Sequence, residues 1–232
     1  MRMRHQLIKT AIFSVLLISA FPVLTWPVAA QSDSGWYPLY ISYGYGESDY
    51  KDATPVSQNY KIDEEHEVQE FVIGIPLSES FGLEAGYVQL GENELSNISA
   101  NNIALTLGER QLGLSPNSVY REDITGITGG LRYTYPVNEK IDLYARAGVI
   151  HWETETSVSG NVTLAGTPIV NGLQDDGTGG YYGIGARFNF SETVGLGLEY
   201  IRYDEVADRE IDAIYTRLDI KFDTPAPVPS VR

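Results

Sequence analysis

Apolar and polar residues alternate with a period of two in eight segments of the chain. The segments are residues 36–46, 67–77, 82–91, 124–137, 141–154, 179–190, 194–203 and 213–222. In the seventh, Leu196 and Leu198 share one face, while Gly197 and Glu199 share the other. This period predicts β-strands with one apolar and one polar face. A tilted strand needs about nine to eleven residues to cross a bilayer, which is close to the length of these segments.

The connectors between the segments are alternately short and long. The short ones are Ser78–Phe81, Asn138–Lys140 and Ser191–Thr193, and the long ones are residues 47–65, 92–123, 155–178 and 204–212. This alternation is typical of barrels that cross a membrane with turns on one side and loops on the other. We therefore predict an all-β fold, an eight-stranded antiparallel up-and-down transmembrane β-barrel of the outer-membrane type. A soluble sandwich would show the same alternation with its faces reversed.

The longest connector, 92–123, contains a further alternation at Ile103, Leu105 and Leu107. Its apolar stretches are too short for two more crossings, which would need longer strands. We expect a hairpin that projects beyond the membrane.

The N-terminus has the features of an export signal. Arg2, Arg4 and Lys9 precede an apolar run over residues 11–24, and Val28–Ala30 supplies small residues for cleavage. The run is shorter than the roughly 20 residues of a spanning helix, which disfavours a retained anchor. We predict a signal peptide at 1–30, a barrel domain at 31–222 and a proline-rich periplasmic tail at 223–232.

The composition excludes several classes of protein. Without residues 1–30 the chain has 13 Lys and Arg against 31 Asp and Glu, so phosphates would be repelled and nucleic acid is not an expected partner. There are no cysteines, so disulfides and thiolate metal sites are absent. We expect no cofactor and no metal ion.

Aromatic residues lie near both ends of the predicted strands, on the apolar face. Those at the short turns are Tyr135, Phe190 and Phe222, and those near the long loops are Tyr43, Tyr45 and Tyr87. Such placement predicts two interfacial girdles around a membrane barrel.

Charged residues occupy the opposite, inward face. We predict a luminal charge network of Glu84, Arg132, Arg146, Arg187, Glu199 and Arg217, with Asp219 on the same face. Unpaired charges are costly in a tight interior, so Arg132 and Arg146 should contact Glu84 or Glu199. Two interpretations stay open. A static polar plug is favoured, and the alternative is a gate that rearranges to pass small ions.

Four stretches resemble the transmembrane domain of the OmpA family of bacterial outer-membrane proteins. They are residues 136–148 continuing to Trp152, Leu83–Tyr87 with Leu90 and Gly91, Leu198–Tyr200, and Trp36 with Tyr37. The resemblance spans residues 35–222 and implies a barrel in the outer membrane of a Gram-negative bacterium. It also implies that Glu84, Arg132, Arg146 and Glu199 occupy positions of the family's luminal charge cluster. Arg187 replaces an acid of that cluster and Gly197 replaces an arginine, so the resemblance supports a plug better than the family's switch.

Two features could indicate other chemistry. The acidic loop 47–65 could hold a divalent cation facing lipopolysaccharide, but its spacing fits no EF-hand, and a solvated acidic surface is favoured. For an enzyme, His66 and His151 are the available histidine bases of the mature chain, and we place His66 in an acidic loop mouth and His151 on the lipid face. We predict that the protein is not an enzyme.

These observations predict a structural role in envelope integrity, with acidic loops presented outward. The expected surroundings are outer-membrane lipid and lipopolysaccharide, and the expected state is a monomer. Two alternatives remain: a narrow ion-conducting pore, or an adhesin-like surface protein, comparable to OmpX and Ail, that binds an extracellular partner through its long loops.

Overall fold

The computed structural model describes residues 36–50, 53–54, 60–63, 66–97, 102–107, 110–168 and 174–225. The predicted signal peptide and residues 226–232 of the predicted tail lie outside this part of the chain. Among the described residues, no helix is long and apolar enough to span a membrane.

The described residues form fourteen β-strands. They are β1 (Trp36–Tyr50), β2 (Ala53–Thr54), β3 (Tyr60–Asp63), β4 (His66–Pro76), β5 (Phe81–Asn97), β6 (Ile103–Leu107), β7 (Arg110–Leu114), β8 (Val119–Pro136), β9 (Ile141–Ser159), β10 (Val162–Leu164), β11 (Thr167–Pro168), β12 (Gln174–Asn189), β13 (Val194–Val206) and β14 (Arg209–Pro225).

Eight of these strands close into an antiparallel barrel. Their order around the barrel is β1, β4, β5, β8, β9, β12, β13 and β14, and β14 pairs with β1 from Trp36↔Pro225 to Tyr50↔Ile211. Closure gives every barrel strand two hydrogen-bonded neighbours, which a sheet in lipid requires because lipid offers no partner to a bare edge. The predicted eight-stranded barrel is confirmed. Strand β14 runs to Pro225, three residues into the predicted tail.

Three short turns connect barrel strands at one end, as predicted. The side chain at the start of each turn accepts hydrogen bonds from the backbone that follows. Asn138 Oδ1 accepts from the amides of Lys140 and Ile141 at 2.9 and 3.0 Å. Ser78 and Ser191 do the same for Phe81 and Val194, each at 3.0 Å. These contacts satisfy the turn amides and fix the register of the strands.

At the other end, several strands extend into the predicted long loops. Residues 92–97, 119–123, 155–159 and 174–178 all belong to barrel strands. The predicted projecting hairpin is present as β6 and β7, which pair from Ile103↔Leu114 to Leu107↔Arg110. It lies in a second, five-stranded sheet with the order β11, β10, β7, β6 and β2. A separate apolar cluster joins this sheet to the barrel extension; it contains Leu95, Leu112, Leu114, Tyr120 and Val162. We refer to this extension and the second sheet as the head.

The prediction of a long loop at residues 204–212 is wrong. Strands β13 and β14 continue into a tight hairpin, with Val206 opposite Arg209 and a turn at Ala207 and Asp208. Both turn residues have positive φ, 51° and 61°, as a type I′ turn requires. Residues 204–212 lack the Asn-Gly pair that usually signals this turn.

The outer surface of the barrel is apolar. Leu131, Val149, Ile184 and Leu198 are 51 to 67% exposed, although each is flanked in sequence by inward-facing neighbours. The six aromatic residues of the predicted girdles are also exposed on this face. Large aliphatic side chains on an exterior surface fit a hydrocarbon environment and do not fit water.

Substitution of two adjacent glycines, Gly129 and Gly130, tests how tightly the interior is packed. A β-carbon on Gly130 would lie 2.4 Å from both Ala147 O and Tyr181 Oη, whereas one on Gly129 would meet nothing within 4 Å. We expect Gly130→Ala to lower the free energy of unfolding by about 1–3 kcal/mol through overpacking. Gly129→Ala is the matched control and should change it by less than about 0.5 kcal/mol. Urea titration of the refolded protein measures both, and equal values would contradict the packing.

Candidate functional site

Inward-facing side chains occupy the barrel lumen in layers. The layer nearest the short turns is charged, and we call its members the charge network: Glu70, Glu84, Arg132, Asp142, Arg146, Arg187, Glu199, Arg217 and Asp219. All nine are buried. The period-two alternation of each strand puts these residues on the face opposite the exposed aliphatic side chains.

Arg146 on β9 is the centre of the network. Its guanidinium donates to both carboxylate oxygens of Glu70 at 3.0 and 3.1 Å, to Glu84 at 2.5 Å and to Glu199 at 3.4 Å. These carboxylates come from β4, β5 and β13, none of which is a neighbour of β9 in the barrel. The ion pairs therefore cross the lumen and do not run along its wall.

Arg217 shares two of these carboxylates from the other side. It pairs with Glu70 and Glu199, and its Nη1 donates to Ser42 Oγ at 3.2 Å. Two guanidinium groups and two carboxylates thus alternate in charge. Such alternation offsets the cost of removing each ion from water, which an isolated buried charge would incur in full.

A second group of contacts lies closer to the short turns. Arg132 on β8 donates to Asp219 on β14 at 3.0 Å, across the full width of the barrel, because three strands separate β8 from β14 in either direction. Arg187 also donates to Asp219, at 2.8 Å, and pairs with Asp142. Asp219 therefore joins two arginines from different strands.

Tyrosines complete the network. Tyr40 donates its hydroxyl hydrogen to Glu84 at 2.7 Å. The Arg132 guanidinium lies 4.0 Å from the centre of the Tyr144 ring and 5.6 Å from that of Tyr40. Flat aromatic faces stabilise a cation that has few carboxylates around it.

The structure brings all six sequence-predicted site residues into this network. Arg132 lies 3.7 Å from Glu84, and Arg146 contacts both Glu84 and Glu199. Sequence reasoning missed Glu70 and Asp142. Glu70 shares its parity with Val68 and Val72, which are fully buried, so the alternation in β4 could have identified it.

Above the charge network, the lumen is apolar. The layer contains Tyr50, Val68, Val88, Leu90, Ile124, Ile150, Trp152, Tyr181, Ile201, Tyr203, Val206, Ala207, Ile211, Ala213 and Tyr215. The expectation of a polar interior is wrong for this half of the barrel. Val88, Ile150 and Ile201 are completely buried, so they leave no continuous aqueous path beside them.

A separate buried ion pair lies at the mouth, above the apolar layer. Arg209 on β14 pairs with Glu122 on β8, again from opposite sides of the barrel. The Arg209 guanidinium lies 5.2 Å from the centre of the Tyr50 ring. Sequence reasoning placed Glu122 and Arg209 in separate loops, and nothing in the local pattern indicates that they meet.

Acidic residues face outward just beyond the apolar band. They stand opposite one another on neighbouring strands, in the pairs Glu47↔Glu67, Glu92↔Asp123, Asp123↔Glu155 and Asp176↔Glu153. Burial, followed by repulsion from Glu92 and Glu155, raises the pKa of Asp123. No group of three or more potential metal ligands is present among the described residues.

The two histidines of the described residues, His66 and His151, lie apart from each other and from the charge network's carboxylates. His151 is exposed on the outer face, as predicted. His66 is buried against the Tyr50 ring, with 4.9 Å between ring centres, and does not lie in an acidic loop mouth. The sequence placed it in the loop because acidic residues precede it, but it is the first residue of β4.

Comparison with known proteins identifies relatives of the fold. The family described as "Outer membrane protein beta-barrel domain" matches residues 13–222. Ail of Yersinia pestis, solved with the heparin analogue sucrose octasulfate, is 16% identical and gives a TM-score of 0.48, with 80% of this chain and 99% of that chain covered. The N-terminal barrel domain of Pseudomonas aeruginosa OprF is 12% identical, with a TM-score of 0.46 and coverage of 81% and 99%. No curated protein matches the sequence.

Proposed function

Because the chain belongs to the outer membrane protein beta-barrel domain family and is a barrel of the bacterial outer membrane, we propose that it is a closed structural barrel that supports the envelope and displays the head outside the cell. In such barrels short turns face the periplasm and longer loops face outward. The head therefore lies on the extracellular side. We also propose a relationship to OmpA-type domains, for which Glu84, Arg132, Arg146 and Glu199 are the supporting positions.

The observation that carries the proposal is the filled lumen. Arg146 and Arg132 cross the barrel within the charge network, Ile150 and Ile201 fill the middle, and Arg209 crosses the mouth. An eight-stranded barrel is only wide enough for side chains to fill it. Ions would need both the ion pairs and the apolar layer to rearrange at once.

The layers also support a mechanical role. Ion pairs between strands on opposite sides connect parts of the wall that share no backbone hydrogen bonds. Parting such a pair inside the barrel would leave two buried charges without counter-charges, which opposes partial separation of the strands. A rigid, sealed cylinder adds protein to the membrane without adding a leak.

Electrical recording tests whether the barrel is closed. We expect mature protein in a planar bilayer to show no single-channel steps, and the variants Glu84→Ala and Arg132→Ala to show none either, because the apolar layer still blocks the lumen. A porin inserted into the same bilayer is the positive control. Steps from the wild-type protein would contradict the proposal, and steps from the variants alone would show that the apolar layer does not seal the lumen.

A cell-based comparison tests the envelope role. Deleting the protein from the bacterium that produces it should increase uptake of a hydrophobic fluorescent dye that an intact outer membrane excludes. The wild-type chain should restore exclusion, and so should a variant in which a short turn replaces residues 98–118. Unchanged dye uptake after removal would contradict the envelope role.

The head favours a second function, that of an adhesin. It has its own apolar core, including Leu112, Leu114 and Tyr120, which holds the β6–β7 hairpin in a fixed position above the membrane. A fixed surface binds a partner at lower entropic cost than a mobile loop does. Bacteria that display the 98–118 replacement should adhere to host-cell monolayers less than bacteria with the wild-type chain, whereas equal adherence would contradict this role.

A further inference from the structure

The tip of the last hairpin covers the extracellular mouth of the barrel. Val206 precedes the turn and Ala207 lies in it, yet these residues are 0 and 1% exposed and belong to the apolar layer. Arg209 extends from the same tip to Glu122 on the opposite wall. The tip therefore bends over the lumen and closes it from above.

Specific contacts with the opposite wall and with β9 hold the tip in this position. The ion pair between Arg209 and Glu122 is one, and a hydrogen bond from Trp152 Nε1 to the carbonyl oxygen of Glu205, at 3.0 Å, is another. Asp204 still pairs with Gly180 on β12, but the ladder between β13 and β14 is interrupted from Tyr203 to Val206. This interruption is a bulge at the base of the tip, where the strand bends.

The closed tip also carries unfavourable features. Glu205, Ala207 and Asp208 have φ values of 59°, 51° and 61°, a region that non-glycine residues seldom occupy. Within the described part of the chain, Nε and Nη1 of Arg209 are buried without a hydrogen-bond partner. A buried guanidinium with two unpaired nitrogens stabilises the structure less than that of Arg146, which pairs with several carboxylates.

We propose that residues 204–209 are a hinged lid, which bends at the bulge after Tyr203 and is held shut by the ion pair between Arg209 and Glu122. When the lid lifts, the extracellular side gains access to the apolar layer around Tyr203, Ile211 and Ala213. The charge network below stays in place. Lid opening therefore exposes an apolar compartment without creating a conducting pore.

The absence of cysteine in the chain allows a direct test. Ala213→Cys places a small thiol in the apolar layer beneath the lid, where the native side chain is 1% exposed. The probe is a charged maleimide added to the refolded full chain in lipid vesicles. In a Glu122→Gln background, we expect its rate of labelling to rise at least about tenfold, because the closed state loses the charge that holds Arg209.

Matched variants separate lid opening from other effects. Glu210→Gln makes the same chemical change on the hairpin that carries the lid, but Glu210 pairs with Arg202 outside the barrel and should leave the labelling rate unchanged. Ser42→Cys reports from the charge network below the apolar layer, where the native side chain is 1% exposed, and should stay unlabelled in the Glu122→Gln background unless the barrel itself opens. The pair Ala207→Asn and Asp208→Gly suits the positive-φ turn and should slow labelling of Ala213→Cys.

Equal labelling of Ala213→Cys in the wild-type, Glu122→Gln and Glu210→Gln backgrounds would overturn the lid. Labelling of Ser42→Cys along with Ala213→Cys would also overturn it, because the whole barrel would then be opening. If Glu122→Gln does not fold, the variant with Ala207→Asn and Asp208→Gly still tests the lid. An unchanged rate of Ala213→Cys labelling in that variant would contradict opening that depends on the strained turn. Bilayer conductance is measured separately, so failure of the lid leaves the closed-barrel proposal intact.

Discussion

Arg146→Ala is expected to lower the free energy of unfolding by about 3–5 kcal/mol, the cost of breaking a buried ion pair by removing one partner. The substitution leaves Glu70, Glu84 and Glu199 facing one another in the lumen with fewer counter-charges. Arg217 still contacts Glu70 and Glu199, but Glu84 retains the neutral Tyr40 hydroxyl and, as a counter-charge, the more distant Arg132 at 3.7 Å. Urea titration of the protein in lipid vesicles measures the loss.

Arg121→Ala is the control for this substitution. Arg121 Nε lies 2.7 Å from Glu94, but the arginine side chain is half exposed in the head. Water screens such a pair, so its loss should change the free energy of unfolding by less than about 1 kcal/mol. A similar small effect for Arg146→Ala would show that the charge network is hydrated and does not fill the lumen.

The second large effect is expected on the lipid-facing side. Ile184 is 67% exposed and lies midway between Thr178 and Phe190 on the outer face of β12 and its following turn. Ile184→Arg places a guanidinium near the centre of the hydrocarbon, which should cost about 2–4 kcal/mol. Unfolding free energy in vesicles is again the readout.

Thr178→Arg is the depth control on the same strand and face. Thr178 pairs with His151, next to the outward acidic residues beyond the apolar band. An arginine near the membrane interface should cost only about 0–1 kcal/mol. Equal losses at the two positions would contradict a membrane-spanning orientation of β12.

The eight crossings could be predicted because the physical demand on them is simple. An outward position must be apolar and its sequence neighbour must face inward, so the alternation in 194–203 is visible without any tertiary information. The short turns were equally readable, because Ser78, Asn138 and Ser191 are residues that cap turns through their side chains.

Of the two layers that fill the lumen, only the charge network could be predicted from the sequence. The charge network follows from parity, since Arg146 and Glu199 stand opposite aliphatic neighbours. The apolar layer does not, because Ile150 and Ile201 face inward on strands whose outward residues are apolar as well. Where both faces are apolar, composition alone cannot say which one meets lipid.

The mouth could not be predicted for a different reason. Glu122 and Arg209 are separated by 87 positions and belong to strands on opposite walls, so their contact depends on closure of the barrel. The positive φ values at Ala207 and Asp208 likewise arise where the tip packs into the lumen. Residues of these types do not indicate such a backbone in isolation.

Nitroxide labels placed one at a time along β13 in lipid vesicles test the central claim most directly. The account predicts that labels at Leu196 and Leu198 collide readily with oxygen and hardly at all with a water-soluble nickel complex. Labels in the head, at Ser157 or Ser159, should show the reverse. Efficient collision of the nickel complex with a label at Leu198 would contradict a barrel whose aliphatic surface lies in the membrane.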